Sequence, residues 1–309
     1  TPATMFFTWQ NLNRRYPLPF RAFERYAYRT AAGAVAGSAT AAAVLRAKGF
    51  DAAKPIWTIP QFGVDEQIYH PPAATGFEHA ATGVEPAVTA VTAVDEPPRD
   101  TRPGRLAVAY AGRLIEAKGV ADLIAAVAAL AALADDRPGI TLEILGSGPD
   151  APRLARLAAA AGLADRVAFT PWLPSAAMPA FYRRIDALVL PSRSTPTWIE
   201  QFGRVLTEAM ACGAVVVGSD SGEIPHVIGD AGLVFPEGDV DALAAALRRL
   251  ADDVPHRLAL AAAGRRRVLE RFTMRAVADA TVAAWRDVLG AAPPSASGAT
   301  AVHREQRQH

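Results

Sequence analysis

The sequence predicts an α/β protein with a doubly wound, six-stranded parallel sheet in its C-terminal part. Six short and almost wholly apolar segments alternate with helical segments after Arg105. Strands that are apolar on both faces are typical of a parallel sheet covered by helices. The length of 309 residues, set against roughly 150 residues per domain, leaves room for a second, N-terminal unit.

Residues 1–70 show a shorter alternation of helix and strand. The segment PFRAFERYAYRTA has helical periodicity and precedes the apolar run GAVAGS. Ser38 is predicted to cap a second helix that ends near Gly49, and IWTIPQFGVD is predicted to be a strand that enters a loop. Residues 71–104 are rich in Pro, Ala, Thr and Gly, which indicates a linker or surface excursion.

Residues 105–272 supply the six predicted strands of the larger sheet. In chain order these are RLAVAYAG, ITLEILG, RVAFT, DALVLPS, AVVVGS and GLVFP. A final helix is predicted over Met274–Leu289, within residues 273–290. The tail, residues 291–309, has a composition typical of disorder.

Composition excludes several classes of protein. A net charge of +1 argues against a dedicated nucleic-acid-binding protein. The single cysteine, Cys212, excludes an intramolecular disulfide and a cysteine-rich metal site, and its place near a helix end predicts a buried, unreactive thiol. The longest apolar run, VADLIAAVAALAALA, contains Asp122 and is short for a membrane span. These features predict a cytoplasmic protein.

Two strand ends carry residues suited to a ligand, since ligands of open α/β sheets bind beyond the carboxyl ends of the strands. The first strand leads to Arg113 and Lys118. The Arg113 guanidinium offers several N–H donors and the Lys118 ammonium a compact charge, so together they suit a diphosphate. An ion pair with Glu116 is the open alternative. The second strand leads to Gly146 and Gly148, a fragment of a dinucleotide-binding fingerprint, which are predicted to turn the chain tightly against a ligand rather than to bind NAD.

The strand DALVLPS leads to a helix that carries two glutamates with seven residues between them. Glu200 precedes the helix and is predicted to point across the strand ends. Gly203 lets an anion approach the amides of Arg204 and Val205, where the helix dipole is favourable. Glu208 is predicted to accept hydrogen bonds from two ribose hydroxyls, and an i,i+4 pair on the helix surface is the alternative. Together with the cations, these groups describe a nucleotide-sugar site.

The chain resembles the retaining glycosyltransferases of family 4 in four ordered motifs: AGRLIEAKG, LEILGSGP, EQFGRVLTE with AMACG, and SDSGEIPHVIGDAGLVFPEGD. The resemblance runs from about Tyr26 to Trp285 and implies the GT-B fold, which has two Rossmann-like domains. Residues 1–70 would be the C-terminal part of the acceptor-side domain, so that this domain is only partly present. Residues 105–272 would be the donor-binding domain, and 273–290 a helix that crosses back to the first domain.

The resemblance also assigns roles to the candidate residues. The donor-binding set would be Arg113, Lys118, Trp172, Leu173, Glu200, Gly203, Arg204, Val205 and Glu208. Arg113 and Lys118 at the diphosphate, and Glu200 at the transferred sugar, would also be catalytic. Glu208 would bind the ribose, and the amides that follow Gly203 the phosphate. The turn TPWLP would lie along the nucleotide base through backbone contacts, with proline where the family usually has glycine.

Two further motifs are interpreted as structural. His226 stands where the family commonly has glutamate and is interpreted as a surface histidine. The run DVD at Asp239–Asp241 is similar to a metal-binding motif of another glycosyltransferase class, but it opens a helix, so N-capping is predicted. No metal and no cofactor are expected beside the nucleotide-diphosphate sugar, because two cations and a helix dipole would neutralise the diphosphate.

The predicted function is transfer of a sugar, of the hexosyltransferase type, from a nucleotide-diphosphate sugar to a hydroxyl acceptor with retention of configuration. The acceptor is left open among a polysaccharide, a lipid-linked acceptor and a small molecule. The family's upstream active-site histidine has no counterpart before His70, so the chain is interpreted as a fragment that is inactive alone. A non-catalytic nucleotide-sugar-binding module is the alternative. An oxidoreductase is disfavoured because no G-x-G-x-x-G follows the first strand.

The aromatic and basic segment NRRYPLPFRAFERYAYR has two interpretations. Packing against the N-terminal sheet is favoured. Peripheral contact with the inner face of a membrane is the alternative, since basic helices with aromatic side chains bind membrane interfaces.

Overall fold

The computed structural model describes residues 3–72, 101–132 and 139–290, and within them the chain forms two parallel sheets. Most of the predicted linker, and the whole predicted tail, lie outside the described residues. No helix in the described part of the chain is both long and apolar enough to cross a membrane.

The N-terminal sheet has three parallel strands. In chain order its elements are β1 (Met5–Thr8), α1 (Phe20–Thr30), β2 (Gly33–Ala36), α2 (Ala39–Ala47) and β3 (Ile56–Thr58). The strands lie side by side in the order β1-β2-β3. The predicted cap of α2 is confirmed, because Ser38 Oγ accepts a 3.1 Å hydrogen bond from the Ala41 amide.

The C-terminal sheet has six parallel strands, which confirms the predicted doubly wound sheet. The strands are β4 (Leu106–Ala111), β5 (Ile140–Leu145), β6 (Val167–Thr170), β7 (Ala187–Leu190), β8 (Val215–Ser219) and β9 (Leu233–Phe235). Their spatial order is β6-β5-β4-β7-β8-β9, so the direction of strand addition reverses between β4 and β7. In such sheets the ligand crevice lies outside the strand ends at this reversal.

Helices cover the larger sheet. They are α3 (Val120–Ala132), α4 (Ala151–Ala160), α5 (Met178–Arg183), α6 (Arg204–Ala211), α7 (Ile224–Ile228), α8 (Val240–Asp252), α9 (Val254–Arg271) and α10 (Met274–Leu289). Every residue of β7 and β8 is buried, and because successive side chains point to opposite faces, both faces are covered there. Cys212, which follows α6, is fully buried as predicted. The predicted capping by Asp239 is also confirmed, since its Oδ1 accepts a 2.8 Å bond from the Ala242 amide.

The last helix, α10, connects the two sheets. Just before it, the Val64 amide donates a 2.7 Å hydrogen bond to the Phe272 carbonyl. Ala284 of α10 is buried in a cluster with Val35 and Ile59 of the N-terminal part. The final helix therefore leaves the larger sheet and packs on the smaller one.

The glycines after β5 face the protein's own backbone. A Cβ on Gly146 would lie 1.9 Å from the Gly112 carbonyl oxygen, and one on Gly148 would lie 2.1 Å from the Leu114 carbonyl oxygen. The tight turn predicted from these glycines is present. The turn packs closely on the loop after β4, because hydrogen bonds between the two loops hold their backbones together, such as Leu114 N to Ser147 O at 2.8 Å. The predicted approach of a ligand to this turn stays a prediction.

Gly119 marks the place where the loops after β4 and β7 touch. Its φ is +65°, and a Cβ there would lie 1.9 Å from the Pro191 carbonyl oxygen. We expect Gly119→Ala to lower the free energy of unfolding by about 3 kcal/mol, because backbone strain adds to the clash. Gly162→Ala is the matched control, because Gly162 has φ +71° and open space around the added methyl. This substitution is expected to lower the free energy of unfolding by about 1 kcal/mol. If urea unfolding shows equal losses of unfolding free energy in the two variants, the close contact with Pro191 does not restrict the residue at position 119.

Candidate active site

An ion pair connects the loops that follow β4 and β7, at the reversal of the sheet. Lys118 ends a short 3-10 helix (Glu116–Lys118) after β4, and Glu200 lies in the loop after β7. Lys118 Nζ lies 2.5 Å from Glu200 Oε2, and the Ser192 hydroxyl donates to the same oxygen at 2.8 Å. The structure thus brings together two of the three predicted catalytic side chains, which are 82 residues apart in sequence.

The main chain of Glu200 is held by both parts of the protein. Its carbonyl oxygen accepts a 3.3 Å bond from Asn11 Nδ2, in the segment after β1, and a 3.2 Å bond from the Glu223 amide. The Glu223 carboxylate accepts bonds from the Ala39 and Thr40 amides, at 2.8 and 3.0 Å, and so caps α2. Because Asn11 and α2 belong to the N-terminal part, Glu200 lies where the two parts meet.

Arg113 and Lys118 present their charges differently. The Arg113 side chain is exposed, and its carbonyl accepts a 2.8 Å bond from the buried Tyr110 hydroxyl, which fixes the main chain after β4. The alternative ion pair with Glu116 is formed by neither Arg113 nor Lys118, both of which lie in the described part of the chain. The Lys118 ammonium lies 4.9 Å from the centroid of the Trp198 ring, within cation–π distance. Arg113 is therefore available to an incoming anion, whereas Lys118 is already oriented by protein groups.

Helix α6 begins without a capping side chain. Gly203 adopts the left-handed conformation, with φ +78° and ψ +55°, and the helix starts at the next residue. The first N–H groups of a helix have no intrahelical acceptor. The amides of Arg204 and Val205 are therefore suited to bind an anion, which the helix dipole also favours.

Glu208 is a buried carboxylate on α6, only 7% exposed. The Tyr182 hydroxyl donates to Oε2 at 2.7 Å, and Arg204 Nε lies 3.1 Å from Oε1. The i,i+4 pair considered as an alternative is thus present, but on a buried carboxylate. Burial raises the pKa of Glu208 above its ordinary value, against the lowering effects of the Tyr182 hydrogen bond and the Arg204 charge. A ligand diol would give this desolvated carboxylate further hydrogen bonds.

Trp172 and Leu173 lie at a distance from the ion pair. They follow β6, the edge strand, which is two strands from β4 and hence roughly 10 Å away across the sheet. Trp172 is 54% exposed, and Leu173 packs against the core. The predicted base contact at this turn stays a prediction.

His226 is a surface residue, as predicted, and its ring Nδ1 lies 3.8 Å from the Glu223 carboxylate. In the part of the chain that the structure describes, no cluster of His, Cys, Asp and Glu side chains has the arrangement of a metal site. Asp239, the first residue of the run DVD, caps α8, and Val240 and Asp241 belong to that helix.

Sequence reasoning missed three side chains that support this site. Ser192 and Asn11 follow the carboxyl ends of β7 and β1, so the rule that singled out Lys118 applies to both of them as well. Tyr182 lies on α5, 26 residues before Glu208, and no local pattern marks it.

Fold and site together describe a Rossmann-like domain with a polar crevice at the reversal of its sheet. A profile of the family "Glycosyl transferases group 1" matches residues 95–267, more than half of the chain. The chain belongs to this family.

Similar curated proteins include the 2-deoxystreptamine N-acetyl-D-glucosaminyltransferase of Streptomyces fradiae, 37% identical over 163 residues. The match covers 52% of this chain and 37% of that protein. A GDP-mannose-dependent phosphatidylinositol monomannoside mannosyltransferase of Mycolicibacterium smegmatis is 34% identical over 175 residues, which are 55% of this chain and 45% of that one. The matched part is thus less than half the length of these relatives.

Solved structures share the fold. Sucrose-phosphate synthase from Thermosynechococcus elongatus superposes with a TM-score of 0.64 at 26% identity, over 88% of this chain and 62% of that chain. Anabaena HepE in complex with UDP and glucose superposes with a TM-score of 0.66 at 18% identity, over 92% and 72% of the two chains. These neighbours support the GT-B architecture.

Proposed function

We propose that this chain carries the donor site of a retaining family 4 glycosyltransferase, which moves a hexose from a nucleoside-diphosphate sugar to a hydroxyl acceptor. The observation that carries the proposal is the cluster of Lys118, Glu200 and Ser192 at the reversal of the sheet, next to the uncapped start of α6. Curated relatives named as sugar transferases, and HepE in complex with UDP, support a nucleotide-sugar donor.

The charges of the site suit a diphosphate leaving group. Arg113 is exposed and offers a bidentate fork, while the start of α6 offers amides. Lys118 has three N–H donors, so it can keep its bond to Glu200 and still donate to a phosphate oxygen. These groups counter the negative charge that develops as the bond to the sugar breaks, and we infer that no metal is required.

The reaction would proceed on one face of the sugar. The bond between the anomeric carbon and the phosphate oxygen breaks, and the acceptor oxygen forms its bond to that carbon on the same face. The acceptor proton passes to the departing phosphate. Glu200 would position the sugar through its hydroxyls, and Glu208 would hold the ribose, since an ionised carboxylate accepts hydrogen bonds from diols.

A donor screen tests the proposal. We expect calorimetry of this chain to show binding of one nucleoside diphosphate among UDP, GDP and ADP. Release of that diphosphate from its hexose derivative, with a hydroxyl acceptor supplied, is expected when a complete acceptor-side domain is present, and not from this chain alone. NMR of the product should show the anomeric configuration of the donor. Absence of binding to all three diphosphates would refute the donor site. Binding without turnover even when a complete acceptor-side domain is present would instead favour a non-catalytic module, and an inverted product would refute retention.

A further inference from the structure

Glu223 places a buried carboxylate of the C-terminal part against the start of α2 in the N-terminal part. The residue is only 4% exposed. Its Oε1 accepts a 2.8 Å hydrogen bond from the Ala39 amide, and its Oε2 accepts bonds from the Thr40 amide at 3.0 Å and from the Thr40 hydroxyl at 2.9 Å. No lysine or arginine in the described part of the chain pairs with this carboxylate. Its charge is therefore stabilised by the first amides of α2 and by the dipole of that helix.

Neither helix depends on this contact alone for its cap. Glu223 is the N-cap residue of α7, yet its side chain makes no capping bond to that helix. Helix α2 already has a local cap, because Ser38 Oγ accepts a bond from the Ala41 amide. The Glu223 side chain is thus directed away from its own helix and across to the other part of the protein. A contact of this kind holds the two parts in one relative position.

The main chain of Glu223 lies against Glu200. The Glu223 amide donates a 3.2 Å hydrogen bond to the Glu200 carbonyl, and Asn11 Nδ2 donates to the same oxygen at 3.3 Å. Gly222 lets the two segments come this close, since its φ is +55° and a Cβ there would lie 2.1 Å from the Glu200 carbonyl oxygen. A shift of Glu223 relative to α2 would therefore move the main chain of Glu200, because no free space separates them.

We propose that Glu223 is a positioning residue of the proposed transferase site, because it fixes the place of Glu200 relative to the N-terminal part. Its side chain binds α2, and its main chain binds the Glu200 carbonyl. The inference rests on the proposed role of Glu200 at the transferred sugar. It concerns the sugar and not the diphosphate, since none of the hydrogen bonds of Glu223 in the described structure goes to Arg113 or to the start of α6.

Two variants break the contact from its two sides. In Glu223→Gln, one carboxylate oxygen becomes an NH₂ group, which cannot accept a bond from α2. In Ala39→Pro, the N–H that donates to Glu223 is removed from the first residue of α2. Proline is well tolerated at that helix position, and the extended backbone of Ser38 suits a residue before proline. Ala39→Pro therefore removes a bond to Glu223 from 184 residues away, with no change in the C-terminal part.

Calorimetry of the whole chain tests the proposal, with the diphosphate selected among UDP, GDP and ADP and with its hexose derivative. We expect each variant to weaken binding of the nucleotide sugar about tenfold and to leave the affinity for the free diphosphate unchanged. The double variant should lose no more than either single variant, because both remove the same contact. Asp239→Asn is the matched control. It removes a carboxylate that caps α8 within the C-terminal part, and it should leave both affinities unchanged.

Hydrogen exchange of the unliganded chain provides a readout that does not depend on the donor. Both variants should speed amide exchange in the loop 195–201 about tenfold, and Asp239→Asn should not. The proposal is overturned if this exchange is unchanged in both variants, or if their affinity losses add in the double variant. It is also overturned if both variants keep their nucleotide-sugar affinity while Glu200→Gln loses it. Absence of diphosphate binding by the wild type would refute the donor site instead, and exchange in the loop would still decide whether Glu223 positions Glu200.

Discussion

Replacing Lys118 with methionine is expected to weaken binding of the nucleoside diphosphate by roughly ten- to a hundredfold, because a charge-assisted hydrogen bond to phosphate is lost. In a protein with a complete acceptor-side domain, the rate of sugar transfer should fall further, by on the order of 10²–10³, since the charge stabilises the departing diphosphate. Binding of the nucleoside without phosphates should not change. Calorimetry with the two ligands, beside an assay of diphosphate release, measures both effects. Arg156→Met, an exposed site on α4, is the charge-matched control.

The same variant should also be less stable, because Glu200 is 8% exposed and would keep only Ser192 as a partner for its carboxylate. Leaving one member of a buried pair costs on the order of 3 kcal/mol. Adding Glu200→Gln to Lys118→Met should restore most of that stability without restoring transfer. If the double variant regains transfer as well, Lys118 acts only by holding Glu200, and its assignment to the diphosphate is wrong.

The strand ends could be predicted from sequence because their signal is local. Each apolar strand is followed directly by its polar residues, and parallel strands place those ends at one edge. That is why Arg113, Lys118 and Glu200 could be assigned to one site although the chain between them is long. The six-stranded sheet and the caps of α2 and α8 likewise depend on short patterns, and the structure confirms them.

Contacts between residues far apart in the sequence could not be predicted, because no local pattern indicates them. Tyr182 reaches Glu208 from another helix, and Glu223 caps α2 from 184 residues away in sequence. A glycine likewise indicates that a side chain would not fit at its position, but it does not identify the neighbouring group. The motif around Gly146 predicted a tight turn, but it could not predict that the Gly112 carbonyl lies against this glycine. The exposure of most aromatic rings of α1 could not be predicted either, because helical periodicity does not tell which apolar side of a helix packs on another element.

Glu208→Gln is expected to weaken binding of nucleoside diphosphate and of nucleotide sugar alike, by roughly ten- to a hundredfold. The reason is that the amide would accept fewer hydrogen bonds from the ribose diol than the carboxylate does. Acidification should act in the same direction. Because burial raises the pKa of Glu208, the wild type should lose affinity at a higher pH than an ordinary glutamate would require, and the variant should not share this loss.

Glu200→Gln is the contrasting variant. If Glu200 contacts only the transferred sugar, affinity for the free diphosphate should not fall, since the substitution removes a negative charge beside Lys118. In a protein with a complete acceptor-side domain, the transfer rate should fall on the order of a hundredfold, because the lost contact lies at the reacting ring. Equal losses of diphosphate affinity in both variants would contradict this division of roles.

Stability provides a third readout that separates the two glutamates. A carboxyl whose pKa is raised in the folded protein adds stability when it is protonated, and that contribution is lost as the pH rises through the raised pKa. At neutral pH the burial of the ionised Glu208 therefore costs stability. Glu208→Gln should leave the melting temperature unchanged or raise it, because the amide oxygen still accepts the hydrogen bond of Tyr182.

Glu200→Gln should lower the melting temperature, because it removes the ion pair with Lys118. A glutamate that costs stability in the empty protein, yet is needed to hold the nucleotide, serves binding rather than folding. Melting curves of both variants at neutral pH decide the point, and a loss of stability in Glu208→Gln as large as that in Glu200→Gln would assign Glu208 a structural role.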